Sequence, residues 1–290
     1  MTDKLIDNLF QDVKVAVVIP CFKVTKHIVN VVSALPSGIW RIYVIDDACP
    51  IGSGRFVNEN VTDSRVKVIF HSENLGVGGA VITGYEAAIS DGADVIVKID
   101  GDDQMDPLLI PDFIFPISIG EADYTKGNRF YDLEEIRIMP RVRLFGNAIL
   151  SLMAKLSTGY WNLFDPTNGF TAIHAEVAKQ LPFAKISRRY FFETDILFRL
   201  NTLRAVVIDV PMSAKYGEEV SNIRIPNIIG EFLFKHIRNF FKRIFYNYYL
   251  RDLSLASIEL PLGVLLFLIG AGFGGYSWYE SARLNEVTPA

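Results

Sequence analysis

The chain has 290 residues, half of them hydrophobic and 21% charged, with a formal net charge of −4 and a mean hydropathy of +0.24. That length accommodates one large α/β domain with a small appendage, and the apolar excess points to a membrane-associated part. The acidic balance, with a pI of about 5.6, removes the electrostatic case for a nucleic-acid partner. Residues 1–12 carry Asp3, Asp7 and Asp12 and no long apolar core, so they do not read as a secretory signal. Cys21 and Cys49 each follow an apolar run, with no other Cys or His at ligand spacing. They read as buried free thiols of a reducing compartment.

In chain order, Val13–Pro20 is nearly continuous in apolar residues, as parallel strands buried on both faces tend to be. Pro20 ends it. A helix is expected over Lys26–Leu35, then a second strand, Trp40–Asp47, that stops at the carboxylates Asp46 and Asp47. Arg65–Phe70 is a third strand, after which Asn74–Ala80, with Gly76, Gly78 and Gly79, opens a helix running to about Ser90. Strands alternating with helices over short loops imply a doubly wound parallel sheet, and ligands of such sheets gather at the carboxyl ends of the strands. Gly76 and Gly78 also match part of a dinucleotide-binding fingerprint, but Val81 stands where its third glycine belongs.

The stretch Val95–Asp106 organises the rest. A β-branched run stops abruptly, and Asp100, Asp102 and Asp103 crowd one strand tip around Gly101. Carboxylates this close repel one another, so the tip calls for a divalent cation or a strongly basic partner. Asp-x-Asp at a strand end is a hard-oxygen donor set suited to Mg²⁺ or Mn²⁺ carrying a diphosphate, which makes Asp100 and Asp102 the metal candidates.

Pro107 sits well in the first turn of a short helix after the acidic turn. Ala122–Phe130 reads as a strand running into a basic end, with Lys126 and Arg129 as candidate phosphate partners. Arg141–Ser157 has helical spacing, with Leu144, Ala148, Leu152 and Leu156 on one stripe and Met153 as core. Phe164–Thr171 is a turn-rich acidic segment. Tyr190–Leu197 places Glu193 and Asp195 at a helix start, where carboxylates also favour the macrodipole. Ala205–Pro211 is a further strand, and Lys215–Arg224 is a polar loop.

From Ile228 to Leu250 aromatic residues (Phe232, Phe240, Phe241, Phe245, Tyr249) mix with Lys235, Arg238, Lys242 and Arg243, the pattern of an amphipathic helix in a membrane interface. Leu260–Trp278 then contains no charged residue and is long enough for a hydrocarbon layer that takes about 20 residues. Basic residues lie mainly before this span, which puts the large domain on the cytoplasmic side. Gly270 and Gly274 form a small-residue pair through which spans could pack into a homo-oligomer. The expected organisation is a cytoplasmic domain over 1–227, a juxtamembrane helix over 228–253, a transmembrane helix over 254–279 and a tail over 280–290.

Taken together, Val18–Phe22, Ile45–Ala48, Asn74–Gly79, Asp100–Gln104, Lys126–Arg129 and Asp165–Phe170 resemble, in order, the motifs of the family-2, GT-A-type glycosyltransferases. The likeness is greatest to the membrane-anchored polyprenyl-phosphate branch related to dolichyl-phosphate mannose synthase. The resemblance implies an α/β fold with a mostly parallel, Rossmann-like sheet, followed by the amphipathic and transmembrane helices. It implies that Pro20, Asp46, Asp47 and Gly76 line a nucleotide pocket, that Asp100 and Asp102 hold the diphosphate through Mg²⁺ or Mn²⁺ with Gln104 in support, and that Lys126 and Arg129 serve phosphate. Asp165 matches the acid facing the acceptor, and Asp102, Glu193 and Asp195 complete the catalytic candidates. Lys215, Ser221 and Arg224 are the acceptor candidates, although Lys215–Ser221 lacks the family's Arg followed by Gly-x-Ser-Lys.

The activity so implied is inverting transfer of a sugar from a nucleotide-diphosphate sugar to a polyprenyl phosphate at the cytoplasmic membrane face. A sugar hydroxyl on a glycan or lipid-linked acceptor is the alternative within the enzymes. A catalytically silent scaffold that binds nucleotide-sugar is the alternative outside them.

Overall fold

The structure, a computed structural model, describes residues 9–131, 141–213, 225–285 and 287. Seven strands form one sheet in the order β3-β2-β1-β4-β6-β5-β7. They are β1 (Val15–Cys21), β2 (Arg41–Asp46), β3 (Val66–Phe70), β4 (Val95–Lys98), β5 (Tyr124–Asn128), β6 (Thr171–His174) and β7 (Val207–Pro211). The helices are α1 (Ile28–Ser33), α2 (Ser53–Asn60), α3 (Val77–Asp91), α4 (Ile110–Ser118), α5 (Arg141–Thr158), α6 (Ala175–Lys179), α7 (Phe192–Leu203), α8 (Ile225–Phe245) and α9 (Leu255–Leu284).

Every pairing is parallel except those of β6, which runs antiparallel between β4 and β5. The sheet is therefore mostly parallel, as expected. β6 has only four residues, too few to declare a period in the sequence. It sits there because Ala172 and Ile173 alternate between two buried layers. One layer packs Val15, Val17, Ile19 and Val97 against Ile28 of α1 and Phe113 of α4, where Phe113 stacks on Phe170 at 4.0 Å between ring centres. The other packs Val18, Tyr43, Ile96 and Ile173 against Val81 of α3 and Ile196 and Leu200 of α7. Each such aliphatic side chain removed from water contributes roughly 1.5–3 kcal/mol.

Two helices depart from expectation. The stripe Leu144, Ala148, Leu152 and Leu156 on α5 faces outward, and the buried side of that helix is Ser151, Ala154, Ser157 and Thr158. Small side chains let this helix approach the domain closely. The segment expected as one interfacial helix over 228–250 is α8 ending at Phe245, then a wider turn over Tyr246–Arg251. The inner side of α8 docks on the domain. Phe232 meets Phe191 edge-on at 5.3 Å, Asn239 donates to Asp195 Oδ1 at 2.9 Å, and His236 Nδ1 lies 2.8 Å from Ser157 Oγ. Its outer side leaves Leu233, Phe234 and Ile237 exposed.

The chain divides into two compact units, one ending at Phe240 and one beginning at Phe241. The second contains α9, 30 residues long with a mean hydropathy of 2.0 over its most apolar window, of which 6% is buried. Among the described residues it is the one helix long and apolar enough to cross a membrane.

Candidate active site

β1, β2, β4 and β5 all end at the same edge of the sheet, so their C-terminal residues share one neighbourhood. At the end of β1 Pro20 is half-buried, in register with Ile45. Asp46 is buried and accepts from the amides of Cys49 at 2.7 Å and Gly54 at 2.6 Å, closing the turn into α2. Asp47 is buried too. It lies 2.8 Å from His71 Nδ1 and accepts from the amides of Leu75 and Gly76, each at 2.8 Å. The amides that would face a pyrophosphate in a dinucleotide fold thus serve an internal carboxylate.

The glycines of that loop have a packing reason. A Cβ on Gly76, where φ is +85°, would stand 2.6 Å from the Arg188 carbonyl, and one on Gly78 would stand 2.6 Å from the Ser187 carbonyl. The loop exists to let the 187–188 backbone come close, and Gly79 seals the contact by donating its amide to Arg188 O at 3.0 Å. Cys21 is buried and Cys49 half-buried, and both are free thiols.

At the end of β4, Asp100 keeps about 30% of its side chain exposed and pairs through Oδ1 with Lys98 Nζ at 2.8 Å. Its backbone amide donates to Met105 Sδ at 3.4 Å, which holds the following turn shut. Asp102 is half-buried and accepts from the amide of Gln104 at 3.2 Å, so Gln104 supports it through the backbone. Asp103 adopts a left-handed conformation, φ +63°. Lys98 is buried in the sheet and also reaches Glu193 Oε1 at 3.3 Å. Burial opposes its charge, but Asp100 and Glu193 outweigh burial and raise its pKa above the usual lysine value.

At the end of β5, Arg129 grips Asp165 with both arms, Nε to Oδ2 at 2.7 Å and NH2 to Oδ1 at 3.0 Å. The Asp165 side chain is almost wholly buried, while Arg129 retains 30% exposure. This bidentate geometry is the strong form of the pair. Lys126 differs from its expected role, because it is buried and donates to the Asn168 carbonyl instead of facing outward. Burial, only partly offset by Glu193 and Asp165, lowers its pKa to about 8. Asn168 in turn accepts from the amide of Phe170 at 2.9 Å.

Glu193 stands half-buried in the first turn of α7, on Lys98. Asp195, one turn face away, is buried and accepts from the amide of Ser187 at 2.9 Å and from Asn239; it belongs to the docking of α8. Lys215, Ser221 and Arg224 lie outside the described residues. The edge therefore brings together Asp100, Asp102, Arg129, Asp165 and Glu193.

Sequence reasoning passed over Lys98, Asn168 and His71. Lys98 carried a signal, a lone cation inside the β-branched run Val95–Ile99; His71 carried none, because its partner Asp47 is set by strand pairing.

The profile of the family described as glycosyl transferase family 2 matches residues 16–181, more than half of the chain. The chain belongs to glycosyl transferase family 2. Within that family it is 29% identical over 232 residues, 75% of this chain and 88% of the other, to a UDP-N-acetylglucosamine–dolichyl-phosphate N-acetylglucosaminyltransferase of Methanococcus voltae. It is 28% identical over 192 residues, 66% of this chain and 78% of the other, to an undecaprenyl-phosphate mannosyltransferase of Micrococcus luteus. Among solved structures it resembles glucosyl-3-phosphoglycerate synthase of Mycobacterium tuberculosis in complex with Mn²⁺, UDP-glucose and phosphoglyceric acid, with a TM-score of 0.60, 17% identity and 84% of each chain covered. That likeness establishes the family-2 transferase fold, GT-A in type.

A divalent ion such as the Mn²⁺ of that neighbour can be tested against these residues. No group of three or more His, Cys, Asp or Glu side chains converges among the described residues. A Mg²⁺- or Mn²⁺-type ion that shares a diphosphate needs only one or two carboxylates. Asp100, with one oxygen on Lys98 and the other turned toward Gly169, and Asp102 beside it supply hard oxygen donors of that kind. The donor set fits.

Proposed function

We propose that the protein transfers a sugar from a nucleotide-diphosphate sugar to a polyprenyl phosphate at the cytoplasmic face of a membrane, with inversion at the anomeric carbon, and that α9 anchors it there. The observation that carries this reading is the ion pairing of the inner carboxylates. Asp165 has both oxygens on Arg129, and Glu193 sits on Lys98. A carboxylate whose oxygens already accept from a cation's N–H groups is poorly placed to take an acceptor's proton, because a general base must reach that proton within hydrogen-bond distance. A hydroxyl acceptor needs a base to take its proton. A phosphate acceptor arrives ionised and needs only orientation. The relatives named for dolichyl and undecaprenyl phosphate support the same acceptor class.

In this reading Asp100 and Asp102 would hold Mg²⁺ or Mn²⁺, an ion that would supply neutralisation of the leaving diphosphate's charge. The end of β1 and the Asp46–Asp47 turn line the nucleotide side. Arg129, fixed in one orientation by Asp165, presents its exposed edge to a phosphate oxygen. The turn 165–170 holds the acceptor opposite the leaving group, so positioning supplies much of the rate. Lys215, Ser221 and Arg224 remain acceptor candidates on the sequence alone.

The test is a panel of UDP- and GDP-sugars given, with Mn²⁺, to the full chain in detergent together with undecaprenyl or dolichyl phosphate. A lipid-linked sugar released by mild acid is expected. Product found on a sugar hydroxyl and none on lipid phosphate would replace the acceptor. Absence of donor turnover with every acceptor would favour the scaffold.

A further inference from the structure

The two buried lysines are neighbours by register. Lys98 of β4 pairs with Thr171 of β6, and Thr171 pairs with Lys126 of β5. Residues paired laterally point to the same face of a sheet, so both lysines lie on the α7 face, flanking Thr171. They continue the rows in which Ile96, Ile173 and Tyr124 form the apolar layer two residues earlier. Toward the strand tips the layer turns from apolar to cationic. Lys98 is 1% exposed and Lys126 0%, and uncompensated buried charge is strongly unfavourable, so each must be held by something specific.

Lys98 holds Asp100 at 2.8 Å and Glu193 at 3.3 Å. Lys126 holds the carbonyl of Asn168, in the turn that carries Asp165. Between them lies Gly169, where an added Cβ would fall on both Asp100 Oδ2 and Lys98 Nζ. The turn 165–170 is thus pressed onto the Lys98–Asp100 pair from one side and tied to Lys126 from the other. Buried ion pairs contribute little net stability against an apolar replacement, so this arrangement is better explained by what it positions.

Resting on the reading above, we propose that Lys98 and Lys126 are two positioning residues with separate charges to keep. Lys98 fixes the Asp100 carboxylate for the divalent ion and diphosphate. Lys126 fixes the Asn168–Gly169 backbone of the acceptor-side turn. Neither lysine touches the reacting atoms; each acts through the group it holds.

The experiment uses the full chain in detergent, titrated calorimetrically with UDP or GDP in the presence of Mn²⁺, alongside steady-state transfer. Lys98→Met is expected to weaken nucleotide binding tenfold or more with Mn²⁺ and no more than twofold in excess chelator, because only the ion-dependent part runs through Asp100. Lys126→Met is expected to leave nucleotide affinity within twofold and to lower kcat or raise the acceptor KM tenfold or more. If Lys98→Met does not fold, the double variant Lys98→Met with Glu193→Gln removes the carboxylate left without its cation, and the same chelator-sensitive loss is expected there. Nucleotide affinity that is unchanged in the Lys98 variants, or that falls equally with and without chelator, overturns the role of Lys98. Wild-type kcat and acceptor KM in Lys126→Met overturn the role of Lys126. A wild-type chain that binds neither nucleotide defeats the proposed function itself, and this inference with it.

Discussion

Two regions of this chain break the rule of apolar inside and polar outside, in opposite directions. At the carboxyl edge of the sheet, charged side chains are buried: Lys98, Lys126 and Asp165 are among the least exposed residues of the protein. Along α9 the reverse holds, with Leu265, Phe267, Ile269 and Phe273 all more than half exposed. In the first region burial of charge is tolerated because each group is held by a named partner. In the second, the apolar surface is left uncovered by the described residues and fits a lipid solvent. In the proposed function the charged interior binds and the apolar exterior anchors.

The sharpest way to break the first half of this contrast is to remove one member of a buried pair. Arg129→Met leaves the Asp165 carboxylate buried without its cation, and the expected loss is up to about 3–5 kcal/mol, toward the lower end because Arg129 is partly exposed. Thermal unfolding of the variant beside wild type measures it. If Asp165 acts by positioning Arg129, as proposed, Asp165→Asn should lower turnover by a factor that is constant across pH. Loss of a single titrating limb in the pH–rate profile of that variant would make Asp165 a base after all.

Next in size is Asp100→Asn. Taking one charge from a preorganised electrostatic site typically costs about 10²–10³ in turnover, so kcat/KM should drop by that order while the Tm changes little, Asp100 being partly exposed. Transfer assays across a Mn²⁺ titration would show the half-maximal concentration moving upward.

The anchoring half is sharpened by Ile269→Arg, near the middle of α9. A charge at the centre of a spanning helix costs about 2.5–3.5 kcal/mol on insertion scales. The fraction of chain retained in alkali-washed membranes should fall, and unchanged retention would mean that α9 does not span.

The smallest effect tests the seam between the two kinds of surface, where α8 meets the domain. Burial lowers the pKa of His236 from 6.5 to about 4. Between those values the unfolded chain binds a proton that the folded chain refuses, so folding stability falls as pH drops from about 6.5 toward 4, by about 1–3 kcal/mol at most. Replacing His236 with Asn should flatten that acid limb relative to wild type in pH-dependent melting curves. An unchanged limb would assign it to carboxylates elsewhere.

The composition of single segments was enough for much of this protein. Continuous β-branched runs such as Val15–Ile19 and Val95–Val97 declare buried parallel strands, because an apolar run flanked by turn residues has few other stable places. Asp100 and Asp102 already suggest the cation site proposed for them, because repulsion at one strand tip is a local property of the sequence. α9 declares itself by its length and by the uncharged stretch Leu260–Trp278 within it. What the tertiary structure alone decided is which polar groups meet. Asp165 stands in the sequence as an acid of a turn-rich segment, and only the fold brings Arg129 onto both its oxygens. Gly76 matched part of a dinucleotide fingerprint in the sequence, but only the fold shows the Ser187–Arg188 backbone filling the space beside it. Lys126 looked outward until the register through Thr171 set it beside Lys98 under the turn 165–170. Local sequence sets the period and charge of each element, but the partner of a buried charge lies up to 95 residues away, as Glu193 does from Lys98. Strand order and helix docking choose it.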